Sequence, residues 1–376
     1  MTAILPARLG QTLAEVDTPA LVIDLDAFER NIASLKQSLA GRAIRVRAHA
    51  KTHKCPEVAR RQIAAGAVGV CCQKVSEAEA MVDGGIGDVL VSNEVVGAPK
   101  LARLARLAKR ARIGICVDNP LQVHGLGAAV KAEDAQIDVY VEIDVGARRC
   151  GVAPGAPALA LAKQITAIPG LRFAGLQAYQ GSAQHVRTMM ERRAKIDTAI
   201  EAARSTRKLI ESEGIACPIV TGAGSGSFMF EAESGVYDEL QPGSYVFMDA
   251  DYARNEWAPP LPRFEHALFV LATVMSRPVP ERIVVDAGLK ASGIDSGLPT
   301  VWKRPGLDFV RASDEHGVIE ARAGAQAPAL GEKLLLVPGH CDPTVNLYDW
   351  YVCIRGGMIV GAVEALWPIT ARGALA

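Results

Sequence analysis

A chain of 376 residues that is 49% hydrophobic and 22% charged can bury a large core and is long enough for a barrel with a second domain, which excludes a disordered or fibrous protein. Lys plus Arg and Asp plus Glu are equal at 41 each, without a long block of one sign, so nothing points to nucleic acid or an anionic membrane. The expected partner is a small molecule or another subunit.

The first 19 residues, MTAILPARLGQTLAEVDTP, have no basic stretch leading into an apolar one, and no run of about 18 apolar residues occurs anywhere. A soluble, cytoplasmic protein is expected. Eight cysteines, at 55, 71, 72, 116, 150, 217, 341 and 353, show no CxxC spacing and read as free thiols, several of them small core residues.

From residue 20 to about 226, eight short apolar runs alternate with polar-faced segments. They are ALVIDL (20–25), RVRAHA (45–50), GVCCQK (69–74), DVLVSN (88–93), RIGICVD (112–118), VYVEID (139–144), FAGLQAY (173–179) and PIVTGAG (218–224). Between them, segments such as CPEVARRQIAAG and APKLARLARLAKR carry apolar residues at three-to-four spacing, with Ser or Pro near the start and Gly near the end, and predict helices. Eight strand–helix units with no GxGxxG after the first favour a closed (β/α)₈ TIM-like barrel over an open doubly wound sheet. After about residue 262 the runs lose their intervening helices, which predicts a mostly β domain over 263–376, completed by residues 1–19, with the barrel over 20–262. RNEWAPPLPR (254–263) is the expected junction.

In such a barrel the reactive groups sit at the carboxyl ends of the strands. Lys51, Gln73, Asn93, Arg149, Tyr179 and the stretch TGAGSGS (221–227) all fall there. Singly each has a plain reading: a lysine after a strand is usually a solvated end, and a Gly/Ser stretch is usually a turn. Together they suggest more. TGAGSGS allows successive backbone N–H groups to approach an anion, yet it lacks the lysine and spacing of a nucleoside-triphosphate loop. LQPGSYVFMD (240–249) offers a second pair of donors at Gly243 and Ser244. Two phosphate loops near one lysine suggest a phosphorylated cofactor that lysine can hold covalently, and pyridoxal phosphate meets both requirements.

In order along the chain, RAHAKTHK, VEIDVGARRCGV, GLQAYQGSAQH, TGAGSGS, ELQPGSYVFMDADY, VDAGLK, SDEHG and VPGHCDPT resemble the D-threonine aldolase and 3-hydroxy-D-aspartate aldolase branch of the alanine-racemase-like (fold type III) pyridoxal phosphate enzymes. The resemblance spans nearly the whole chain. It implies that Lys51, rather than Lys54, is the covalent anchor, that Arg149 faces the cofactor's phenolic oxygen, and that Tyr179 contacts the cofactor. Thr221, Gly222 and Ala223, with Gly243 and Ser244, would hold the phosphate. Gln241 stands where alanine racemases place an arginine against the pyridine nitrogen.

In the extended reading of LVPGHCDPT, residues two apart share a face, so His340 and Asp342 converge while Cys341 points away. An imidazole and a carboxylate suit a divalent ion whose shell is completed by water or substrate. Unaided, a histidine bonded to a nearby acid is the commoner meaning of such a pair. The resemblance implies a metal there, manganese first and magnesium, cobalt or zinc after it. It also implies that His185 lies near the substrate hydroxyl, able to accept a proton near neutrality, although the residue alone could equally cap the helix that follows.

The activity implied is cleavage of D-3-hydroxy amino acids, D-threonine and similar, to glycine and an aldehyde, in a homodimer. The alternatives are an aldolase on 3-hydroxy-D-aspartate, whose second carboxylate requires a cation that no arginine of the sequence obviously supplies, and a dehydratase acting on D-serine or hydroxyaspartate. A non-catalytic pyridoxal phosphate carrier would resemble the barrel alone, so the β domain with His340 and Asp342 counts against it.

Overall fold

The computed structural model describes residues 5–376. Eight parallel strands close a barrel: β2 (Arg45–His49), β3 (Gly69–Cys72), β4 (Asp88–Glu94), β5 (Arg112–Val117), β6 (Ile137–Glu142), β7 (Leu171–Ala178), β8 (Ile219–Gly222) and β9 (Glu239–Leu240), with β9 returning to β2. Helices cross between successive strands, and their start signals are visible in the sequence. Prolines occupy the first turns of Pro56–Ala64, Ala98–Leu107 and Pro120–Glu133, where a missing N–H leaves no bond unmade. The apolar stripe of Ala98–Leu107 buries Leu101, Leu104, Ala105 and Leu107 against the barrel.

The other strands form a nine-stranded sheet. These are β1 (Ala20–Asp24), β10 (Leu268–Val279), β11 (Arg282–Val285), β12 (Thr300–Val301), β13 (Leu307–Ala312), β14 (Gly317–Ala321), β15 (Lys333–Val337), β16 (Trp350–Arg355) and β17 (Ala362–Pro368). Their main path runs β13-β14-β11-β10-β1-β16-β17, with β15 between β10 and β12.

This corrects the expected barrel membership of 20–25. The run ALVID lies antiparallel to β10 and parallel to β16, inside the sheet. All five of its residues are buried, so it carries the continuous apolar pattern of a barrel strand, which cannot say which sheet does the burying. The eighth barrel strand is instead β9, the two residues Glu239 and Leu240 that lead into the segment assigned above to a phosphate loop. Residues ahead of β1 also lie on the sheet: Gln11 O accepts from Val363 N at 2.8 Å, and Gly10 N donates to Val363 O at 2.9 Å.

The interior of the barrel is plugged by Cys71, Leu90, Cys116, Tyr140, Ala174 and Ile219. Seven cysteines are buried and Cys150 is half-buried, none in a disulfide, as expected of small core side chains. One glycine is dictated by a close approach: Gly175 on β7, at φ +138°, would set a Cβ 1.8 Å from Ile219 O of β8.

Candidate active site

The basic cluster RAHAKTHK is divided among separate tasks. Arg47 donates to Glu239 at 2.9 Å and to Asp88 at 2.6 Å, stitching the barrel wall. Lys54 is buried against Glu77, and the buried His53 offers its carbonyl to Tyr351 Oη at 2.7 Å, away from the cavity. His49 and Lys51 face a cavity of about 450 Å³ at the carboxyl ends of the strands. Lys51 sits in the single turn Ala50–Thr52 directly after β2, where β2 stops.

Lys51 Nζ lies 2.5 Å from Asp342 Oδ2, and Thr52 Oγ1 donates to Asp342 Oδ1 at 2.7 Å. Burial acts to lower the Lys51 pKa, but the Asp342 charge and hydrogen bond, together with Tyr179, outweigh it and push the amine up to about 12. Burial likewise opposes ionisation of Asp342, and Lys51 and His340 reverse the balance, holding it well below the usual carboxylate range. Burial and the Lys51 charge keep His49 neutral. Its Nδ1 accepts from Lys51 N at 3.3 Å, while Nε2 meets the Gln73 amide at 2.9 Å and Ser92 Oγ at 3.3 Å, so the ring is held upright in the wall.

On the opposite wall Arg149 lies over the Tyr179 ring, 5.9 Å from its centroid, with Nη2 3.6 Å from Glu142 Oε1. Burial followed by the nearby Glu94 raises Glu142 to about 8, only partly offset by Arg149. Behind the cavity Gln241 donates to Gln177 and Thr221, both at 2.8 Å, and Thr221 donates to Glu239 at 3.0 Å. Gln241, Ala223, Gly243 and Ser244 therefore line the cavity, whereas Thr221 and Gly222 stand in the wall behind it, Gly222 paired with Leu240.

Two loops meet on a third side. Ser225 Oγ accepts from Tyr245 N at 2.9 Å, which locks the loop after β8 beside the loop after β9. Ala223 is held at φ +70°, a left-handed conformation that costs an L-residue roughly 1–2 kcal/mol. Among the described residues, the backbone N–H groups of Gly224, Ser225, Gly243 and Ser244 meet no protein acceptor. Four such donors around one cavity suit a dianionic phosphate.

His340 and Asp342 do converge, with Nε2 3.9 Å from Oδ2, though not by strand alternation. His340 is extended and caps the short helix Cys341–Val345, and Asp342 belongs to that helix. Cys341 turns into the core, as expected. Asp295 Oδ2 lies 2.8 Å from His340 Nδ1, which fixes the tautomer and presents Nε2 toward Asp342. This donor set fits a divalent cation. His185 also lines the cavity, its Nδ1 2.6 Å from Asp251 Oδ2.

Several contributors escape sequence reasoning: Asp251, Asp295, and the carboxyls Glu94 and Glu142. Asp251 and Asp295 lie far along the chain from the histidines they hold and share no motif with them. Glu142 is the last residue of β6, where it reads as an ordinary strand end.

Residues 23–251 match the alanine racemase N-terminal domain family, and residues 267–354 the putative serine dehydratase domain. D-threonine aldolase of Arthrobacter sp. is 52% identical over 368 residues, covering 98% of this chain and 96% of that protein. The chain belongs to the alanine-racemase-like family. 3-Hydroxy-D-aspartate aldolase of Paracoccus denitrificans (strain Pd 1222) is 47% identical, covering 98% and 95%. The crystal structure of D-threonine aldolase from Filomicrobium marinum superposes with a TM-score of 0.97 at 54% identity, over 100% of both chains. Within this family the observed frame, a closed parallel barrel and a separate β sheet, agrees with the fold expected from the sequence. No helix among the described residues is long and apolar enough to cross a membrane.

Proposed function

We propose that this chain is a carbon–carbon lyase, an aldolase that depends on pyridoxal phosphate and a divalent metal and cleaves D-3-hydroxy amino acids, D-threonine and its like, to glycine and an aldehyde. The observation that carries this reading is the meeting of Lys51 and the four free N–H donors around one cavity, with the His340–Asp342 pair joined to it through the contacts of Lys51 and Thr52 with Asp342.

Pyridoxal phosphate, when bound, supplies the sink for the electrons of the breaking Cα–Cβ bond. A divalent cation held by His340 and Asp342 would supply a Lewis acid for the β-hydroxyl, manganese first by the resemblance to the D-threonine aldolases and magnesium, cobalt or zinc after it. Lys51 Nζ would be the amine that holds the cofactor covalently. Gly224, Ser225, Gly243 and Ser244 would hold its phosphate through backbone N–H groups. Arg149 would stabilise negative charge on the phenolic oxygen, Tyr179 would contact the cofactor, and Gln241 would offer a neutral amide in the cavity wall. His185 Nε2 takes the proton of the β-hydroxyl. One proton leaves oxygen and one arrives at Cα, so glycine and the aldehyde account for every atom.

Among the described cavity-lining residues the fixed cations are Lys51 and Arg149, both committed to the cofactor. A second substrate carboxylate finds no spare cation there, which favours an uncharged side chain over 3-hydroxy-D-aspartate. We further propose a cytoplasmic homodimer.

The test is to incubate the protein with D-threonine and with 3-hydroxy-D-aspartate, with and without a chelator, and to identify the products. Glycine and acetaldehyde, lost on chelation, are expected. Ammonia in place of glycine would convert the reading to a dehydratase, and preference for hydroxyaspartate would convert it to the glyoxylate-releasing aldolase.

A further inference from the structure

We propose that Asp251 is a positioning residue for His185: its carboxylate fixes the imidazole with the proton on Nδ1 and the bare Nε2 toward the cavity. The inference rests on the reading of His185 as the group that takes the β-hydroxyl proton.

Asp251 is 4% exposed, on the single turn Ala250–Ala253 that follows the barrel. Its Oδ2 lies 2.6 Å from His185 Nδ1, and its Oδ1 accepts from Arg187 at 2.5 Å and Arg254 at 2.7 Å. Burial favours the neutral acid, but the Arg187, Arg254 and His185 hydrogen bonds overcome it and hold the carboxyl at about 2. An ionised carboxylate only accepts, so the short contact requires a proton on Nδ1. Nε2 then carries the lone pair. The same carboxylate stabilises the imidazolium formed when Nε2 is protonated, as in other acid–histidine pairs.

The carboxylate is itself immobilised. Arg187 also donates to Asp251 O at 2.8 Å and to Asn255 Oδ1 at 2.7 Å, and Asn255 returns a bond to Gln184 O, next to His185, at 2.9 Å. The turn is tied to the metal-pair segment: Ala250 N donates to Pro338 O at 2.9 Å, and Cys341 N to Asp249 Oδ2 at 3.1 Å. Arg254 reaches Ser296 O at 2.8 Å, next to the Asp295 that orients His340. The groups holding the proton acceptor and the groups holding the metal ligand are thus one connected scaffold.

The test has three parts. Nitrogen-15 NMR of the imidazoles of the full-length protein, with and without cofactor and assigned by a His185→Gln variant, should show His185 protonated on Nδ1; an Nε2-protonated His185 would overturn the proposal without any question of folding. Asp251→Asn should lower kcat by about a hundredfold or more with KM changed by less than about threefold, and should remove the Nδ1 preference. A folded Asp251→Asn protein with unaltered kcat and tautomer would overturn it. Combining Asp251→Asn with His185→Gln should cost no more than His185→Gln alone, since a positioning residue has nothing left to position. If His185→Gln retains full kcat, the failure lies in the reading of His185 as proton acceptor; if it is inactive while Asp251→Asn is fully active, the failure lies in the positioning role.

Discussion

Replacing Glu142 with Gln should flatten much of the protein's loss of stability toward alkaline pH. Glu142 is 4% exposed, its Oε2 has no hydrogen-bond partner, and neither carboxylate oxygen of the adjacent Glu94 has one. Two carboxylates side by side cannot donate to one another, so the arrangement becomes satisfied when one of them holds a proton. Burial, then Glu94, moves the Glu142 carboxyl from its usual 4.5 up to about 8, and Arg149 offsets only part of this at 3.6 Å. The folded state therefore binds a proton that the unfolded chain has already lost. Stability from this source is fully present below the unfolded value and falls as pH rises to the folded one. At ~1.4 kcal/mol per tenfold in proton affinity the full effect is ~5 kcal/mol, and ~2–5 kcal/mol allows for sharing with Glu94. Gln keeps the shape, supplies an amide donor to Glu94 and cannot ionise. Denaturant unfolding of both proteins at pH 5, 7 and 9 measures the difference: the variant should gain on the wild type by several kcal/mol across that range. Parallel pH profiles would refute the reasoning.

Asp295→Asn should weaken divalent-metal binding by roughly tenfold or more through the lost hold on His340 Nδ1, and Asp342→Ala should abolish it; calorimetric titration with Mn²⁺ reads both. Gly243→Val should leave the fold intact but loosen cofactor retention, because a Cβ there meets Thr52 Oγ1 at 3.0 Å and His49 Cβ at 3.1 Å and pushes the phosphate loop into the cavity; dialysis followed by absorbance of the retained cofactor measures it. Gly175→Ala should cost more than ~2 kcal/mol, since the Cβ falls 1.8 Å from Ile219 O at a backbone angle L-residues avoid, and a drop in Tm of several degrees or loss of soluble protein would show it.

The barrel was legible because its signals are local. Seven of its strands coincide with runs read from the sequence, and the helices between them announce themselves through proline at their starts and an apolar stripe. β9 was not legible, because two residues carry no periodicity; it is recognised only by closing the ring against Arg45 and Val46. The site divides in the same way. Lys51, Arg149, Tyr179 and the two glycine loops follow strand ends, so a rule about barrels places them. The HCD segment was understood for its convergence but not for its cause, since the turn from an extended His340 into the helix Cys341–Val345, not strand alternation, brings His340 and Asp342 together. The supports Asp251 and Asp295 could be found only in three dimensions, because a carboxylate that orients an imidazole has no fixed spacing from it.

The place of β1 makes the division between the two parts of the chain a matter of energy as well as of topology. We propose that the natural boundary does not lie at residue 262 alone, because a fragment ending there would leave β1 without either of its neighbours, β10 and β16. Leu21, Val22 and Ile23 are each at most 1% exposed, and burying a side chain of this kind contributes ~1.5–3 kcal/mol. Together they amount to ~5–9 kcal/mol, comparable with the whole stability of a typical domain. The helix Leu25–Ser38 would stay packed on the barrel by Phe28 against Phe247, while the strand leading into it presents an apolar edge with unpaired N–H groups to water. A fragment of residues 1–262 should therefore aggregate, and one beginning at residue 25 and ending at 262 should be more soluble despite being shorter. Light scattering of the two purified fragments decides it. A monomeric 1–262 fragment would mean that β1 finds a partner in the barrel.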